Sequence, residues 1–115
     1  MSKLLLVYIT CGSLGQAQKI GRDLLKKRLA ACINIFPHMQ SMFFWPPKSG
    51  KIDESHEVVL IAKTIESKYK ALEKEVHQIH SSDIPCVMAI PVKYVAKKYF
   101  NWLSEELKIH PNLPL

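Results

Sequence analysis

The stretch EVVLIAKT, Glu57–Thr64, decides the fold class of this 115-residue chain. Its centre, Val58–Ala62, is apolar at every position, so a strand formed there carries apolar side chains on both faces. An antiparallel sheet with one face in water shows polar and apolar residues in alternation instead. The sequence therefore predicts a central strand that is covered by protein on both sides.

Three further segments, located by working outward from this strand, also have strand character. Lys3–Thr10 is apolar with β-branched and aromatic members, and Cys86–Val92 is apolar with little alternation. Cys32–Trp45 is a longer run rich in Ile, Phe and Met, and it contains Pro37. Because proline cannot donate a ladder hydrogen bond, we predict a bulge or bend at that position.

Apolar residues at helical spacing predict three helices between or after the strands. The predicted helices are Leu14–Leu29, Glu66–His80 and Ala96–Leu107. Ser13 and Gln16 have the spacing of a capping box, in which each side chain accepts a hydrogen bond from a free backbone N–H at the helix start. The first helix is therefore predicted to begin directly after the first strand.

The resulting order, β-α-β-β-α-β-α, is that of the α+β, ferredoxin-like split βαβ plan, an antiparallel sheet of four strands followed here by a C-terminal helix. We expect a single domain over residues 1–115, with an extended tail at 109–115. Two helices cover only one face of such a sheet. The third helix, another copy of the chain, or both must cover the other face, so we expect self-association.

Charge and hydropathy narrow the functional classes. Lys and Arg total 16 against 10 Asp and Glu, which gives a net charge of +6. The basic residues Lys19, Arg22, Lys26 and Lys27 follow one predicted helix without interleaved aromatic residues, so we interpret them as a solvated face and expect no nucleic-acid partner. No apolar run approaches the ~20 residues needed to cross a bilayer, so we expect no membrane association.

The cysteines and the N-terminal segment bear on the cellular compartment. Cys11, Cys32 and Cys86 are odd in number and lack C-x-x-C spacing, which indicates free thiols in a reducing compartment. The N-terminal segment lacks the features of a signal peptide. We therefore expect a soluble cytoplasmic protein. Neither a Ser/His/Asp or Cys/His/Asn triad nor a pair of cleft carboxylates is indicated, and we expect no enzymatic activity.

Four segments, taken together, resemble the CutA divalent-cation tolerance family. They are RLAACINI (Arg28–Ile35), EVVLIAKT (Glu57–Thr64), HSSDIP (His80–Pro85) and YFNWL (Tyr99–Leu103). Thr10-Cys11 and Trp45 fall in the matching order and places. The resemblance extends from about Lys3 to Leu107, and the RLAACINI segment is its most specific part.

The resemblance implies a ferredoxin-like subunit assembled into a tight homotrimer, with its sheets packed around the threefold axis. Such a trimer is similar to that of the PII signalling proteins. The resemblance also implies a link to copper and other divalent cations. Where the family has His-Pro-Tyr-Glu-Val-Pro-Glu, this chain has HSSDIPC, His80–Cys86, and the family's W-x-G-K turn is replaced by WPPKSGK, Trp45–Lys51.

Thiols and imidazoles are the ligand types that soft metals prefer. Cys11 is predicted where the first strand meets a helix, and amides at a helix N-terminus lower the pKa of a thiol. By resemblance, His80 occupies the position of the family's histidine, Asp83 lies in the same segment, and Cys86 replaces a carboxylate. Our hypothesis is that Cys11 and His80, with Asp83 and Cys86 as additional ligands, bind metal ions that are not required for folding, with copper favoured over zinc. Cys11 and His80 can belong to separate sites or approach each other only across the trimer. The alternative for Cys11 is a small buried side chain.

A second set of candidates concerns a cleft between subunits. The resemblance implies that Lys63 lies near such a cleft, although a solvated lysine at a strand end explains it equally. Trp45 precedes a proline-rich loop, and Cys32 is interpreted as a core thiol that can border the cleft. The alternative function is a PII-like signalling or scaffold protein that binds a small metabolite or a partner loop, for which Trp45 and Lys63 would matter.

Two weaker patterns have simpler explanations. His77 and His80 are three residues apart on one helix edge and could touch one ion, but we interpret them as solvated flanking residues. Gly12 and Gly15 lie between a strand and a helix, where backbone amides could meet a phosphate. The start of a helix explains these glycines without a ligand.

Overall fold

The computed structural model describes residues 3–110. Within that range the chain forms four strands and three α-helices. In chain order they are β1 (Leu4–Cys11), α1 (Leu14–Lys26), β2 (Cys32–Phe44), β3 (Ile52–Ile65), α2 (Tyr69–Ile79), β4 (Val87–Pro91) and α3 (Lys97–Glu106). A short 3₁₀ turn, Glu66–Lys68, precedes α2.

The four strands form one antiparallel sheet in the order β2-β3-β1-β4. In β1, Leu5 lies opposite Thr64 of β3 on one side and Pro91 of β4 on the other. The ferredoxin-like split βαβ prediction is therefore confirmed, including the central position of the EVVLIAKT strand between β2 and β1.

One face of the sheet, which we call the first face, is closed by α1 and α2. Alternate residues of β1 point into it, among them Val7 and Ile9, and both are fully buried. Leu24 of α1 and Leu72 of α2 pack into the same cluster. This layer is the hydrophobic core that the helical spacing predicts.

The opposite face, the second face, is only partly covered. At one end α3 packs on the sheet, and Leu4, Leu103 and Leu107 form a separate buried cluster there. Helix α3 thus covers part of the second face, as expected for a central strand that carries apolar side chains on both faces. Lys68 fixes the end of this helix, because its Nζ donates to the carbonyl of Leu107 at 2.7 Å and to that of Arg28 at 2.9 Å.

Strands β2 and β3 continue beyond the sheet as a two-stranded extension, residues 39–57, which we call the hairpin arm. The register shifts between Phe36 and Met39, so the bulge predicted at Pro37 is confirmed. The predicted third strand began at Glu57, whereas β3 begins at Ile52. The longer strand arises because polar residues 53–57 pair with β2 across the arm, a pairing that apolar content does not signal.

The predicted end of the first helix was wrong by three residues. Helix α1 ends at Lys26 rather than at Leu29, because Arg28 adopts a left-handed conformation with φ of 55°. The backbone N–H groups of Leu29 and Ala30 both donate to the carbonyl of Leu24, which closes the helix end. The other predicted ends differ by up to three residues, and residues 111–115 of the predicted tail lie outside the described range.

The start of α1 has the predicted cap with one difference. Ser13 Oγ accepts from the backbone N–H of Gln16 at 3.1 Å, as in a capping box. The Gln16 side chain accepts from Gly12 N, one residue before the cap, at 2.9 Å. Among residues 3–110, no helix has the length and apolarity needed to span a membrane.

Candidate functional site

The part of the second face that α3 leaves open contains a cavity of about 750 Å³, which we call the second-face cavity. Tyr8 and Thr10 of β1 form its floor, because they alternate with the buried residues of the first face. Met88 of β4 lies opposite Tyr8 and also lines the cavity. The hairpin arm and the loop after α2 form its walls, so three separate parts of the chain meet there.

The cavity is acidic although the chain is basic. Asp53 and Glu57 of β3 line it, and among the residues that the structure describes no Lys or Arg does so. The two carboxylates are four positions apart on one strand, a spacing of roughly 13 Å between their Cα atoms. That distance is too long for both carboxylates to ligate one ion. Together they give the cavity a negative charge that attracts cations.

His80 joins the end of α2 to the end of β1. Its Nδ1 accepts from the backbone N–H of Ser82 at 3.0 Å, so the ring hydrogen lies on Nε2, which donates to the Thr10 carbonyl at 2.8 Å. Both ring nitrogens are therefore engaged. Binding a metal ion through this side chain would require one of these two hydrogen bonds to break.

Cys11 lies on the first face, away from the cavity. It is fully buried, and burial, with a smaller contribution from the charge of Glu57, raises the pKa of its thiol to about 11. This is opposite to the lowered pKa expected for a thiol at a helix N-terminus. The expectation was wrong because the side chain points into the apolar core, where ionisation is unfavourable.

Within one chain, the four predicted metal ligands are not brought together. Cys86 lines the second-face cavity and His80 lies at its edge, but Cys11 is on the other side of the sheet. Asp83 is exposed and does not line the cavity. Over residues 3–110, no group of three or more His, Cys, Asp and Glu side chains has the arrangement of a metal site.

The predicted cleft residues are also separated. Trp45 lines the second-face cavity. Lys63 and Cys32 are paired neighbours on β3 and β2, and the Lys63 Nζ lies 5.5 Å from the centre of the Tyr99 ring of α3. These two residues therefore belong to the α3 end of the second face, where Lys63 makes a cation–π contact.

Sequence reasoning missed several residues of the cavity. The sequence predicts an exposed loop at Asp53 and assigns Glu57 only to the start of a strand, so neither carboxylate was singled out as a ligand. Met88 was also missed, although it lies two positions from the predicted ligand Cys86 and shares its side of the sheet. Their period-two spacing was the signal that could have placed them together.

The sequence matches a known family over most of its length. Residues 5–106 match the profile of the family described as CutA1 divalent ion tolerance protein. The divalent-cation tolerance protein CutA of Archaeoglobus fulgidus is 40% identical over 102 residues, which cover 89% of this chain and 96% of that protein. The protein of the same name from Pyrococcus horikoshii is 36% identical, with 91% of this chain and 99% of that protein covered.

Solved structures give the same result. The structure described as the periplasmic divalent cation tolerance protein CutA from Archaeoglobus fulgidus superposes with a TM-score of 0.86 at 39% identity, covering 91% of this chain and 99% of that one. The divalent ion tolerance protein CutA1 of Ehrlichia chaffeensis superposes with a TM-score of 0.88 at 26% identity, covering 95% of this chain and 99% of that one.

Proposed function

The chain belongs to the CutA1 divalent ion tolerance family, and from that membership we propose that it is a homotrimer that binds metal cations in the second-face cavity and acts in metal-ion tolerance. The observation that carries the proposal is the charge of this cavity. Asp53 and Glu57 line it, and in the described part of the chain no Lys or Arg does so. A cation therefore finds a favourable field there in a molecule whose net charge is +6.

The ligand chemistry of the cavity suits a transition metal better than a hard cation. Cys86 provides a thiol that lines the same cavity as the carboxylate of Glu57. Sulfur ligands favour copper and zinc, whereas magnesium and calcium require sites built from oxygen alone. We propose copper before zinc, because a given set of nitrogen, oxygen and sulfur ligands binds Cu(II) more tightly than Zn(II) in the usual metal series. No bond-breaking step is assigned to any of these residues.

The experiment for this proposal is calorimetric titration of the chain with Cu(II), Zn(II) and Mg(II). We expect Cu(II) and Zn(II) to bind and Mg(II) to give no measurable heat. Glu57→Gln should weaken binding by about tenfold or more, equivalent to ~1.4 kcal/mol. Glu54→Gln is the matched control, because Glu54 is an exposed carboxylate of the same strand that does not line the cavity. Equal loss in both variants, or no loss in either, would refute the assignment.

The homotrimer is proposed from the apolar surface that one chain leaves uncovered. Phe44 is 72% exposed, and Trp45, Ile84 and Ile90 are also exposed around the same face. Contiguous apolar area of this kind marks an interaction surface. We propose that two further copies cover it, leaving the polar floor of the cavity as the lining of a cleft between subunits.

Light scattering at micromolar concentration tests the assembly, and a species of three chain masses is expected. Phe44→Asp should convert it to a single-chain species that keeps its circular dichroism, because the side chain is exposed in the chain and a charge is costly only at an interface. Lys48→Asp, a charge change in the exposed loop of the arm, is the control and should leave the mass unchanged. A parent protein of one chain mass would contradict the trimer.

A second function is favoured by the aromatic walls of the same cavity. Tyr8, Phe43 and Trp45 line it, and about 750 Å³ is within the ordinary size range of small-molecule sites. A PII-like protein that binds a small metabolite or a partner loop is therefore the alternative. Titration of the metal-free chain with common nucleotides, with Trp45→Ala as the variant, discriminates it from metal binding.

We also propose that the chain works in a reducing compartment such as the cytoplasm. Cys11, Cys32 and Cys86 are free thiols, and none of them is engaged in a disulfide. Thiol titration after denaturation under non-reducing conditions should recover three thiols per chain. Recovery of one would indicate a disulfide formed in an oxidising compartment.

A further inference from the structure

The outer surface of α1 carries a row of basic side chains, Lys19, Arg22 and Lys26, which we call the α1 row. Successive members are three and four residues apart, so they lie on one side of the helix and span roughly 10 Å along its axis. All three residues are exposed. The spacing alone predicts a solvated face, but in the folded chain the row borders a groove.

This groove, which we call the helix groove, lies between α1 and the end of α2 and has a volume of about 330 Å³. The α1 row lines it together with Gly15, Asp23 and Ile79. Gly15 leaves its part of the groove open, because the nearest side-chain atom to a Cβ built there would be the Ser13 Oγ at 4.0 Å. Ile79 is only partly buried. The groove therefore combines an apolar surface with a row of cations.

The acidic residues of the helical layer do not neutralise the α1 row. Asp23 is the carboxylate that lines the groove, and its Oδ1 lies 3.4 Å from the Nζ of Lys27. The same ammonium also binds the carboxylate of Glu75, on α2. Within residues 3–110, no member of the α1 row forms an ion pair. Lys27 thus occupies the nearby carboxylates, and the three cations of the row remain available to a ligand.

The helix groove stays open in the proposed homotrimer. It lies on the outer side of the helices that close the first face, whereas the copies are proposed to meet on the second face. Asp53 and Glu57, the carboxylates of the second-face cavity, are on the opposite side of the sheet from the helices. Because positive and negative charge are separated in this way, an acidic partner is attracted to the outer helical layer.

We propose that the helix groove docks an acidic peptide segment of a partner protein, with an apolar side chain of the segment on Ile79 and its carboxylates on the α1 row. Carboxylates two residues apart in an extended peptide are separated by roughly 7 Å. A short segment therefore places two or three of them along the row, whose long side chains absorb the difference in spacing. Each contact is a charge-assisted hydrogen bond.

The groove fits a peptide better than a nucleic acid. No aromatic side chain lines it in the part of the chain that the structure describes, so bases have no ring to stack on. Three cations neutralise only about three phosphates, which gives weak binding at physiological salt. A peptide adds the apolar contact with Ile79, which a phosphate backbone does not make.

The test measures the fluorescence anisotropy of a labelled peptide, in which glutamates flank one leucine, as the full chain is added. We expect saturable binding at low salt that weakens at physiological salt, because the contacts are made by exposed charges. Lys19→Glu and Arg22→Glu should each weaken binding by about tenfold. Lys70→Glu is the matched control, because Lys70 is an exposed lysine of α2 that does not line the groove, and it should lose less than about threefold.

Gly15→Leu tests the groove separately from its charge. The substitution adds a side chain at the open part of the groove, and its Cβ makes no close contact, so the fold should be retained by circular dichroism. Peptide binding should weaken by about threefold or more. Replacing the leucine of the peptide by glycine should cause a similar loss. Parent-like binding by Gly15→Leu would overturn the assignment to the groove.

Three further results would overturn the proposal. The first is parent-like affinity in both Lys19→Glu and Arg22→Glu, and the second is equal binding of a peptide that carries glutamines in place of the glutamates. The third is tighter binding of a DNA duplex of mixed sequence than of the peptide, which would identify a nucleic-acid surface. Metal binding in the second-face cavity should be the same in these variants as in the parent, so the docking site and the proposed function can fail independently.

Discussion

The first and second faces of the sheet differ in how completely they are covered. On the first face, α1 and α2 bury alternate residues of β1 so completely that Val7 and Ile9 have no exposed surface. On the second face, the intervening residues Tyr8 and Thr10 form the floor of an open cavity. One strand therefore supplies the core with one set of side chains and the candidate site with the other. The comparison indicates that substitutions on the first face change stability and those on the second change binding or assembly.

The largest effect on stability is expected for a substitution on the first face, which α1 and α2 close. Leu24→Ala removes a fully buried side chain of α1 and should lower the free energy of unfolding by about 2–5 kcal/mol. Leu25→Ala is the matched control, because the neighbouring leucine is 37% exposed and should cost less than about 1 kcal/mol. Chemical denaturation at a fixed protein concentration measures both, and equal losses would show that α1 does not bury Leu24 more completely than Leu25.

The second prediction concerns alkaline pH and Cys11, the thiol of the first face. Burial raises its pKa from 9.0 to about 11 in the folded chain. Between these values the unfolded chain releases the proton and the folded chain retains it, so stability is full below pH 9 and is lost as pH rises towards 11. The loss should reach roughly 2–3 kcal/mol.

Cys11→Ala is the control for this titration, since it removes the thiol while other groups continue to ionise. The stability of the variant should fall less steeply than that of the parent between pH 9 and 11. Parallel profiles would mean that the thiol ionises as easily in the folded chain as in the unfolded one. The thiol would then be available for the metal role that its burial argues against.

The sequence predicts the closed face well because the core leaves periodic signals. The apolar spacing of α1 and the unbroken apolar run Val58–Ala62 predict the order of the elements and the coverage of both sheet faces by protein. The end of α1 was missed because the left-handed turn at Arg28 is favoured by contacts from other elements. The Arg28 Nη1 donates to the Glu106 carbonyl at 2.8 Å, and the Lys68 Nζ donates to the Arg28 carbonyl. Such contacts follow from tertiary packing and have no local pattern.

The candidate site was predicted only in part, because a linear sequence does not say on which side of a sheet a residue lies. Cys11 and Cys86 were both predicted to be metal ligands, but in one chain their side chains lie on opposite faces of the sheet. Residues of the hairpin arm also line the site, and their polar sequence is typical of a loop. Cys86 and Trp45 do line the same cavity. Whether Cys86 binds a metal stays a prediction.

The third prediction tests the partial cover of the second face. Lys68→Met should lower stability by about 1–2 kcal/mol, because the ammonium donates to the carbonyls of Leu107 and Arg28 and holds the end of α3. Burial, and to a smaller extent the nearby charge of Arg28, lower the pKa of Lys68. The charged ammonium is therefore costly at this position, and this cost reduces the stability that the substitution removes. Lys70→Met, an exposed lysine of α2, is the control. Hydrogen exchange should increase in α3 and remain unchanged in α1; a change spread over both helices would argue against a local role.

The smallest effect on stability is expected for a substitution of Met88, on the second face. Met88→Leu conserves volume at a position that is 53% exposed, so the free energy of unfolding should change by less than about 0.5 kcal/mol. Ala89→Gly is a useful contrast, since Ala89 is the next residue of β4, packs against the first-face core, and should lose about 1 kcal/mol on substitution. Thermal unfolding of the metal-free chains measures both. If Met88→Leu proves the more damaging, the Met88 thioether is a packing residue rather than an exposed one.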